Sequence, residues 1–257
     1  MRLQFLGTGA AFTLADDNFQ SNAVLEADDG RRLLIDCGSD VRWALKAAGL
    51  SRQDIDAVYI SHLHGDHIGG MEWFGFTSYF CPGTARPDLF LCDALAEPLW
   101  HSALKAGMEA LDFGRARLDH YFSVHPLPPD GRFRFGGAAL DLVPVLHIRA
   151  GDGEMWSYGL SIGTAAGPVL FTSDCLSQPE RLMPWYRAAR LIFHDCDTGP
   201  RPGGAHAHYS ELSTLPADIK ARMWLYHHKD GPLPDARAAG FLGFVRPRQT
   251  FDLGPAA

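Results

Sequence analysis

Cysteine is sparse in this chain and cannot be paired off. Its five cysteines stand at 37, 81, 92, 175 and 196, an odd number in 257 residues, and no two form a CxxC pair. That pattern argues against a disulfide framework and against a structural zinc built from cysteines, and it favours reduced thiols. Long apolar runs are missing as well. None approaches the roughly 20 residues that cross a bilayer, so no membrane partner is expected. The opening Met1-Arg2-Leu3-Gln4-Phe5-Leu6 runs straight into a glycine turn. It lacks the longer apolar core and small-residue cleavage site of a signal peptide, which makes the cytoplasm the expected location. Positive charge is not in excess either. A formal charge of −7 argues against a broad electrostatic footprint for extended nucleic acid. It leaves room for a small anionic substrate, because bound divalent cations would dominate the local field. Finally, no low-complexity linker divides the chain. With 46% hydrophobic and 21% charged residues, residues 1–257 fit one large α/β domain.

Histidine, by contrast, is concentrated. In YISHLHGDHIGG, four metal-binding side chains (His62, His64, Asp66 and His67) fall within six residues, directly after the apolar run 57–60. That run reads as a buried strand. Alternation along an extended segment aims His62 and His64 at one point, and Gly65 permits the turn that brings Asp66 and His67 toward a neighbouring one. Packing gives no reason to gather such groups, which are costly to bury unpaired.

Strands are predicted over 2–6, 22–27 and 31–36, the last two joined by the turn at Asp28-Asp29-Gly30. A helix follows, capped by Ser39 or Asp40, with Trp43, Leu45, Ala47 and Leu50 packing. The aromatic segment 71–76 lines a pocket or packs in the core, 88–92 is a strand, and 93–111 is a helix with Pro98 near its first turn. In the second half, 132–135 and 139–146 pair across Gly136-Gly137, and the second strand ends at His147. Strands at 157–164, 168–172, 191–193 and 223–226 follow, with helices near 178–189 and 209–221. The two halves read as two strand-rich layers with helices outside. Polar candidates recur at strand ends: His62 after Ile60, His147 after Leu146, Asp174 after Thr172-Ser173, His194-Asp195 after Phe193, and His227 after Tyr226. Several such groups at the same end of successive strands converge on one cleft.

With these residues in view, the chain resembles the metallo-β-lactamase-fold hydrolases, and among them the ribonuclease Z and phosphodiesterase branch. The HxHxDH signature is His62-x-His64-x-Asp66-His67, and Phe5-Leu6-Gly7-Thr8-Gly9 and Asp36-Cys37-Gly38 match that branch's other segments. The resemblance implies a four-layer αβ/βα sandwich and two divalent metal ions. His62, His64 and His147 would hold one ion, Asp66, His67 and His227 the other, and Asp174 would bridge them. His228 adjoins the last position as an alternative. Zinc is the first choice, with manganese or iron compatible with the same ligands.

The branch often carries a His-Glu pair at a strand end and a later His-Ser/Thr segment, whose histidine acts at the scissile phosphate. Here His194-Asp195 and His206-Ala207-His208-Tyr209-Ser210 stand in those places. His208, oriented by Asp195, is taken as the match, with His206 as the neighbouring alternative. Aspartate in place of glutamate shortens the arm. The interval from His147 to Asp174 has room only for a loop and two strands, not for the long arm of transfer-RNA 3′-processing enzymes.

The expectation is therefore a phosphodiesterase acting on a small phosphodiester or cyclic nucleotide through a metal-bridging hydroxide. Asp66 is counted with the catalytic set as well as with the ligands, and His208 is the proton donor. Asp36 fixes one ligand's tautomer, and Arg149, in a loop over 149–156, contacts phosphate. A lactonase or thioesterase on the same metal pair and a tRNA 3′-processing endoribonuclease are the alternatives, and the family suggests a homodimer.

Overall fold

A computed structural model of the chain describes residues 1–81, 85–112, 114–151 and 153–257. The first half supplies β1 (Arg2–Phe5), β2 (Ala23–Glu26), β3 (Arg32–Ile35), β4 (Ala57–Ile60), β5 (Asp88–Cys92), the two-residue strands β6 (Ala110–Leu111) and β7 (Gly114–Arg115), and β8 (Ser123–Leu127). The second half supplies β9 (Arg132–Phe135), β10 (Ala138–Ala150), β11 (Gly153–Ile162), β12 (Val169–Phe171), β13 (Leu191–Asp195), β14 (Met223–Tyr226), β15 (Gly243–Phe244) and β16 (Thr250–Asp252). They build two seven-stranded sheets, in the orders β16-β1-β2-β3-β4-β5-β8 and β15-β14-β13-β12-β11-β10-β9. Each sheet has an antiparallel portion and a parallel one, β3-β4-β5-β8 in the first and β12-β13-β14-β15 in the second.

Strand alternation explains the layering. In β4, Ala57 and Tyr59 join the core between the sheets, while Val58 and Ile60 join the core beneath the first sheet's helices. Leu3, Phe5, Leu33 and Ile35 meet Leu140, Leu160, Phe171, Phe193 and Tyr226 across the central layer. Val143, Val145, Ile192 and Leu225 face the helices of the second sheet. The result is the four-layer αβ/βα arrangement of a metallo-β-lactamase fold. Phe5 packs its ring 5.2 Å from Phe193 and 5.3 Å from Tyr226, a firm floor under the ends of β13 and β14.

Both predicted hairpins form, with Gly30 at φ 84° in one turn and Gly136 and Gly137 at 53° and 88° in the other. Elsewhere the structure departs from the sequence reading. β10 does not end at His147. It continues to Ala150, and its register with β11 shifts between Leu146 and Ile148, so His147 sits at a bulge that re-aims its side chain. The segment 149–156, expected as a loop, is the far end of that hairpin, and Asp152 lies outside the described residues. The helix expected over 93–111 is an α-helical turn at Asp93–Pro98, a π-helical stretch at Leu99–Leu104 and a last turn at Lys105–Met108. Pro98 withholds an N–H from the ladder where the winding changes. Likewise 209–221 divides into Tyr209–Leu212 and Ala217–Lys220 on either side of Pro216.

Asp40 is the N-cap of helix Val41–Ala47 by position, but its carboxylate accepts from the Gln20 backbone N–H instead (2.8 Å). Trp43, expected to pack, is 52% exposed, with Arg42 and Lys46 against its ring. The aromatic segment belongs to helix Met71–Phe80, where Phe74 stacks on Phe122 in the core. Residues 82–84 and 113 lie outside the described set.

Candidate metal centre

The C-terminal ends of the parallel strands β3, β4, β12, β13 and β14 deliver the site. After Ile60 the chain runs extended through Ser61 to His64, which has φ −70° and ψ 153° and caps the single helical turn Gly65–Ile68. His62 Nε2 then lies 3.2 Å from His64 Nδ1, and His147 Nε2 lies 3.0 Å from the same atom. Two donors about 2.0–2.1 Å from a tetrahedral zinc would stand about 3.3 Å apart, so the three nitrogens are spaced as ligands of one ion. Asp174 Oδ2 approaches them at 3.8 Å from both His62 Nε2 and His147 Nε2.

The helical turn presents a second group. His67 Nε2 is 3.1 Å from Asp66 Oδ2 and 3.2 Å from Asp174 Oδ2, and His227 Nε2 is 3.3 Å from Asp174 Oδ2. The two groups, His62-His64-His147-Asp174 and Asp66-His67-Asp174-His227, share Asp174, and within each group the ligand atoms lie within 4.8 Å of one another. Backbone strain helps to place them. Asp36, Ser173 and His227 take φ values of 63°, 55° and 60° at the ends of β3, β12 and β14. This left-handed conformation is uncommon for residues with a Cβ and recurs at functional sites.

The donor set fits divalent cations on its own chemistry. His67 Nε2, both oxygens of Asp174 and both nitrogens of His227 are buried and lack a hydrogen-bond partner. Such orphans are costly unless something positive pairs with them. Burial holds the His62, His64 and His147 rings below their ordinary pKa, hence neutral, as metal ligands must be. Around the second group the field has the opposite sign. Burial pulls the pKa of His67 down, but Asp174, Asp36 and Asp66 outweigh it and hold it well up. Burial pushes Asp66 up, yet His67 outweighs that and brings it down to about 2. The pocket of carboxylates attracts positive charge.

Surrounding groups orient the rings. Asp36 Oδ2 accepts from His67 Nδ1 (2.7 Å) and from Ser61 Oγ (2.8 Å), while Oδ1 accepts from the Ser61 backbone N–H. His67 therefore presents Nε2 to the centre, the arrangement expected of Asp36. His147 donates from Nδ1 to the carbonyl of Ala205 at 2.8 Å. Gly38 backs the motif turn, where a Cβ would stand 2.1 Å from the carbonyl oxygen of Asp66.

The expected pairing of Asp195 with His208 does not form. Asp195 Oδ2 meets His206 Nδ1 at 2.9 Å and accepts from the Cys175 N–H. His206 reaches the metal centre, with Nδ1 3.8 Å from Asp174 Oδ2 and its ring stacked 4.9 Å from that of His227. His208 instead caps helix Tyr209–Leu212. Its Nδ1 accepts from Ser210, and its Nε2 donates to the Gly199 carbonyl at 2.9 Å. The two histidines alternate in sequence, and the short aspartate arm reaches the nearer one. Burial lowers the His206 pKa, but Asp195, through its charge and hydrogen bond, outweighs it and raises the value to about 9.

The remaining candidates lie elsewhere. His228 Nε2 faces Thr8 Oγ1, and His194 lies between Tyr186 OH and the Asp195 carbonyl on the helix side. Cys175 is buried among Leu182 and Ile192, so only its neighbour Asp174 reaches the centre. Arg149 is exposed, 3.9 Å from Glu154, and lines a cavity of about 570 Å³ with Trp156, Gln178 and Arg181. The Ala205 carbonyl that orients His147 is a contact that side-chain patterns could not have signalled.

Comparison with known proteins places this geometry. Residues 1–251 match the family model described as Anti-Pycsar protein Apyc1. The chain is 34% identical over 255 residues to the protein of that name from Paenibacillus harenae, covering 98% of this chain and 100% of the other. It is 37% identical over 248 residues to the one from Saccharibacillus brassicae, covering 95% and 97%. Among solved structures, the metallo-β-lactamase fold protein YhfI from Bacillus subtilis superposes with a TM-score of 0.76 at 19% identity, covering 98% of this chain and 99% of that one. A diphosphatase of the PhnP family gives 0.76 at 20% identity, covering 99% and 98%. The short form of human tRNase Z gives 0.69 at 18%, covering 98% and 99%. At these identities the structural likenesses establish the fold alone.

Proposed function

The chain belongs to the Anti-Pycsar protein Apyc1 family, and from that premise we propose that it is a two-metal phosphodiesterase that opens the phosphodiester of a cyclic nucleotide. The family name points to a cyclic nucleotide as substrate. The observation that carries the reading is the pair of donor groups sharing Asp174, with the His206–Asp195 pair beside it. His62, His64, His147 and Asp174 would hold one ion, and Asp66, His67, His227 and Asp174 the other. When bound, such ions lower the pKa of a water toward 7 and neutralise charge on the phosphoryl oxygens. Zinc is the first choice, and manganese and iron suit the same donors.

The chain's own residues supply the rest. Asp36 keeps His67 facing inward, and the Ala205 carbonyl does the same for His147. Asp195 keeps His206 protonated and holds its Nδ1–H, which leaves Nε2–H to be given to the departing ribose oxygen. This role passes to His206 from His208, whose ring is committed to its helix cap. Between His147 and Asp174 the described residues form only the last residues of β10, then β11 and β12 with their connections, which supports a small substrate over a folded RNA. We take residues 1–257 as one domain that works in the cytoplasm, as a homodimer.

The test is a substrate panel on purified, metal-analysed protein: cyclic nucleotides, bis-p-nitrophenyl phosphate, short RNA, a lactone and a thioester. Turnover of cyclic nucleotides is expected, with His206→Ala lowering kcat about 10²–10⁴-fold at unchanged metal content. Turnover of the carbonyl substrates alone would overturn the reading.

A further inference from the structure

The Asp66–His67 group is not the only place in the centre where one cation fits. Asp174 and His227 also stand with Asp195 and His206, and the ligand atoms of these four lie within 4.8 Å of one another. Each set offers two carboxylates and two imidazoles, so donor chemistry alone does not rank them. In the second set Asp195 is fully buried, and its Oδ1 lacks a partner, as do both oxygens of Asp174 and both nitrogens of His227. His206 Nδ1 closes the group, 2.9 Å from Asp195 Oδ2 and 3.8 Å from Asp174 Oδ2.

We infer that Asp174, Asp195, His206 and His227 form an alternative seat for one divalent ion, occupied in place of the Asp66–His67 seat. This rests on the reading that Asp66, His67, Asp174 and His227 hold one of two ions. The seats exclude each other, because both need Asp174 and His227, and an imidazole nitrogen binds one ion at a time. Occupying the alternative seat releases the Nδ1 proton of His206 to solvent. The Nε2–H that remains then sits on a neutral, metal-bound imidazole, a far weaker acid toward the leaving oxygen than the imidazolium, so the relocated ion marks an inactive state. The alternative seat is the weaker one. His67 stands on a helical turn braced by Asp36, whereas His206 follows the exposed stretch Pro200-Arg201-Pro202-Gly203-Gly204 and is itself 26% exposed.

Bound zinc, counted after equilibration in zinc buffers, tests the assignment without reference to activity. Wild type and His206→Ala should each hold two ions. Asp66→Asn/His67→Ala should still hold two, the second at least about tenfold more weakly, and adding His206→Ala should leave one. A folded Asp66→Asn/His67→Ala protein that holds only one ion at saturating zinc overturns the alternative seat. Should that variant not fold, anomalous diffraction from crystals of the single variant His67→Ala, in which the Asp66–His67 seat lacks its imidazole, decides in excess zinc. Density beside Asp195 and His206 supports the seat, and its absence there overturns it. A wild type that binds fewer than two ions would overturn the two-ion reading, and the seat with it.

Discussion

At His206 a single ring is claimed by two carboxylates, and the outcome is measurable once bound metal is stripped by chelation. Its folded pKa of about 9 lies above the ordinary 6.5, burial being outweighed by Asp195 and then Asp174. A raised value stabilises the fold fully below about pH 6.5, and that contribution is lost as the pH rises through about 9. The melting temperature of chelator-treated protein should therefore fall between pH 7 and 10 along a limb that Asp195→Asn flattens. An identical limb in the variant would show that the pair carries no linkage. The same residue marks where sequence reading ran out. The segment His206-Ala207-His208 offers two histidines with the same parity, and only the parallel bridge between Asp197 and His208, with the helix cap beyond it, decides which one faces the centre. The proposed ligand positions His62, Asp174 and His227 were easier to read, because they stand just beyond the ends of apolar strands.

Strands and the turns after them set the geometry of the centre, and Gly38 shows how tight it is. Any side chain there would meet the carbonyl of Asp66 at 2.1 Å, and backbone cannot yield as a flexible side chain does. Gly38→Ala should cost about 1–3 kcal/mol of stability in urea titration and should weaken metal retention by displacing Asp66 and His67. Full retention of both would show that the turn is looser than its packing. At this scale the sequence was most informative where a strand is buried on both faces, as in the unbroken run of β4, and where a glycine pair closes a hairpin. It was least informative over 93–111, where a proline early in an apolar helical pattern did not reveal a change of winding. It was also silent at His147, because a bulge leaves the pattern of apolar residues on either side intact.

Across the whole molecule, the proposed ligands are divided between the two sheets. His62, His64, Asp66 and His67 follow β4 of the first, while His147, Asp174 and His227 come from β10, β12 and β14 of the second. Ions held there would cross-link the layers, and each at a thousand times its Kd would contribute about 4 kcal/mol. Chelation should lower the melting temperature of wild type markedly, and restored zinc should recover it. An unchanged melting temperature would mean that the shared core of Phe5, Phe193 and Tyr226 alone holds the sheets together.

The same division sets the timing of metallation. A nascent chain that has emerged only as far as β8 exposes His62, His64, Asp66 and His67 but lacks Asp174, the carboxylate common to both groups. Neither group is complete until that residue appears, and the second also waits for His227 beyond β14. On the two-ion reading proposed above, tight capture of the pair would thus be a late event in synthesis, after nearly the whole chain has left the ribosome.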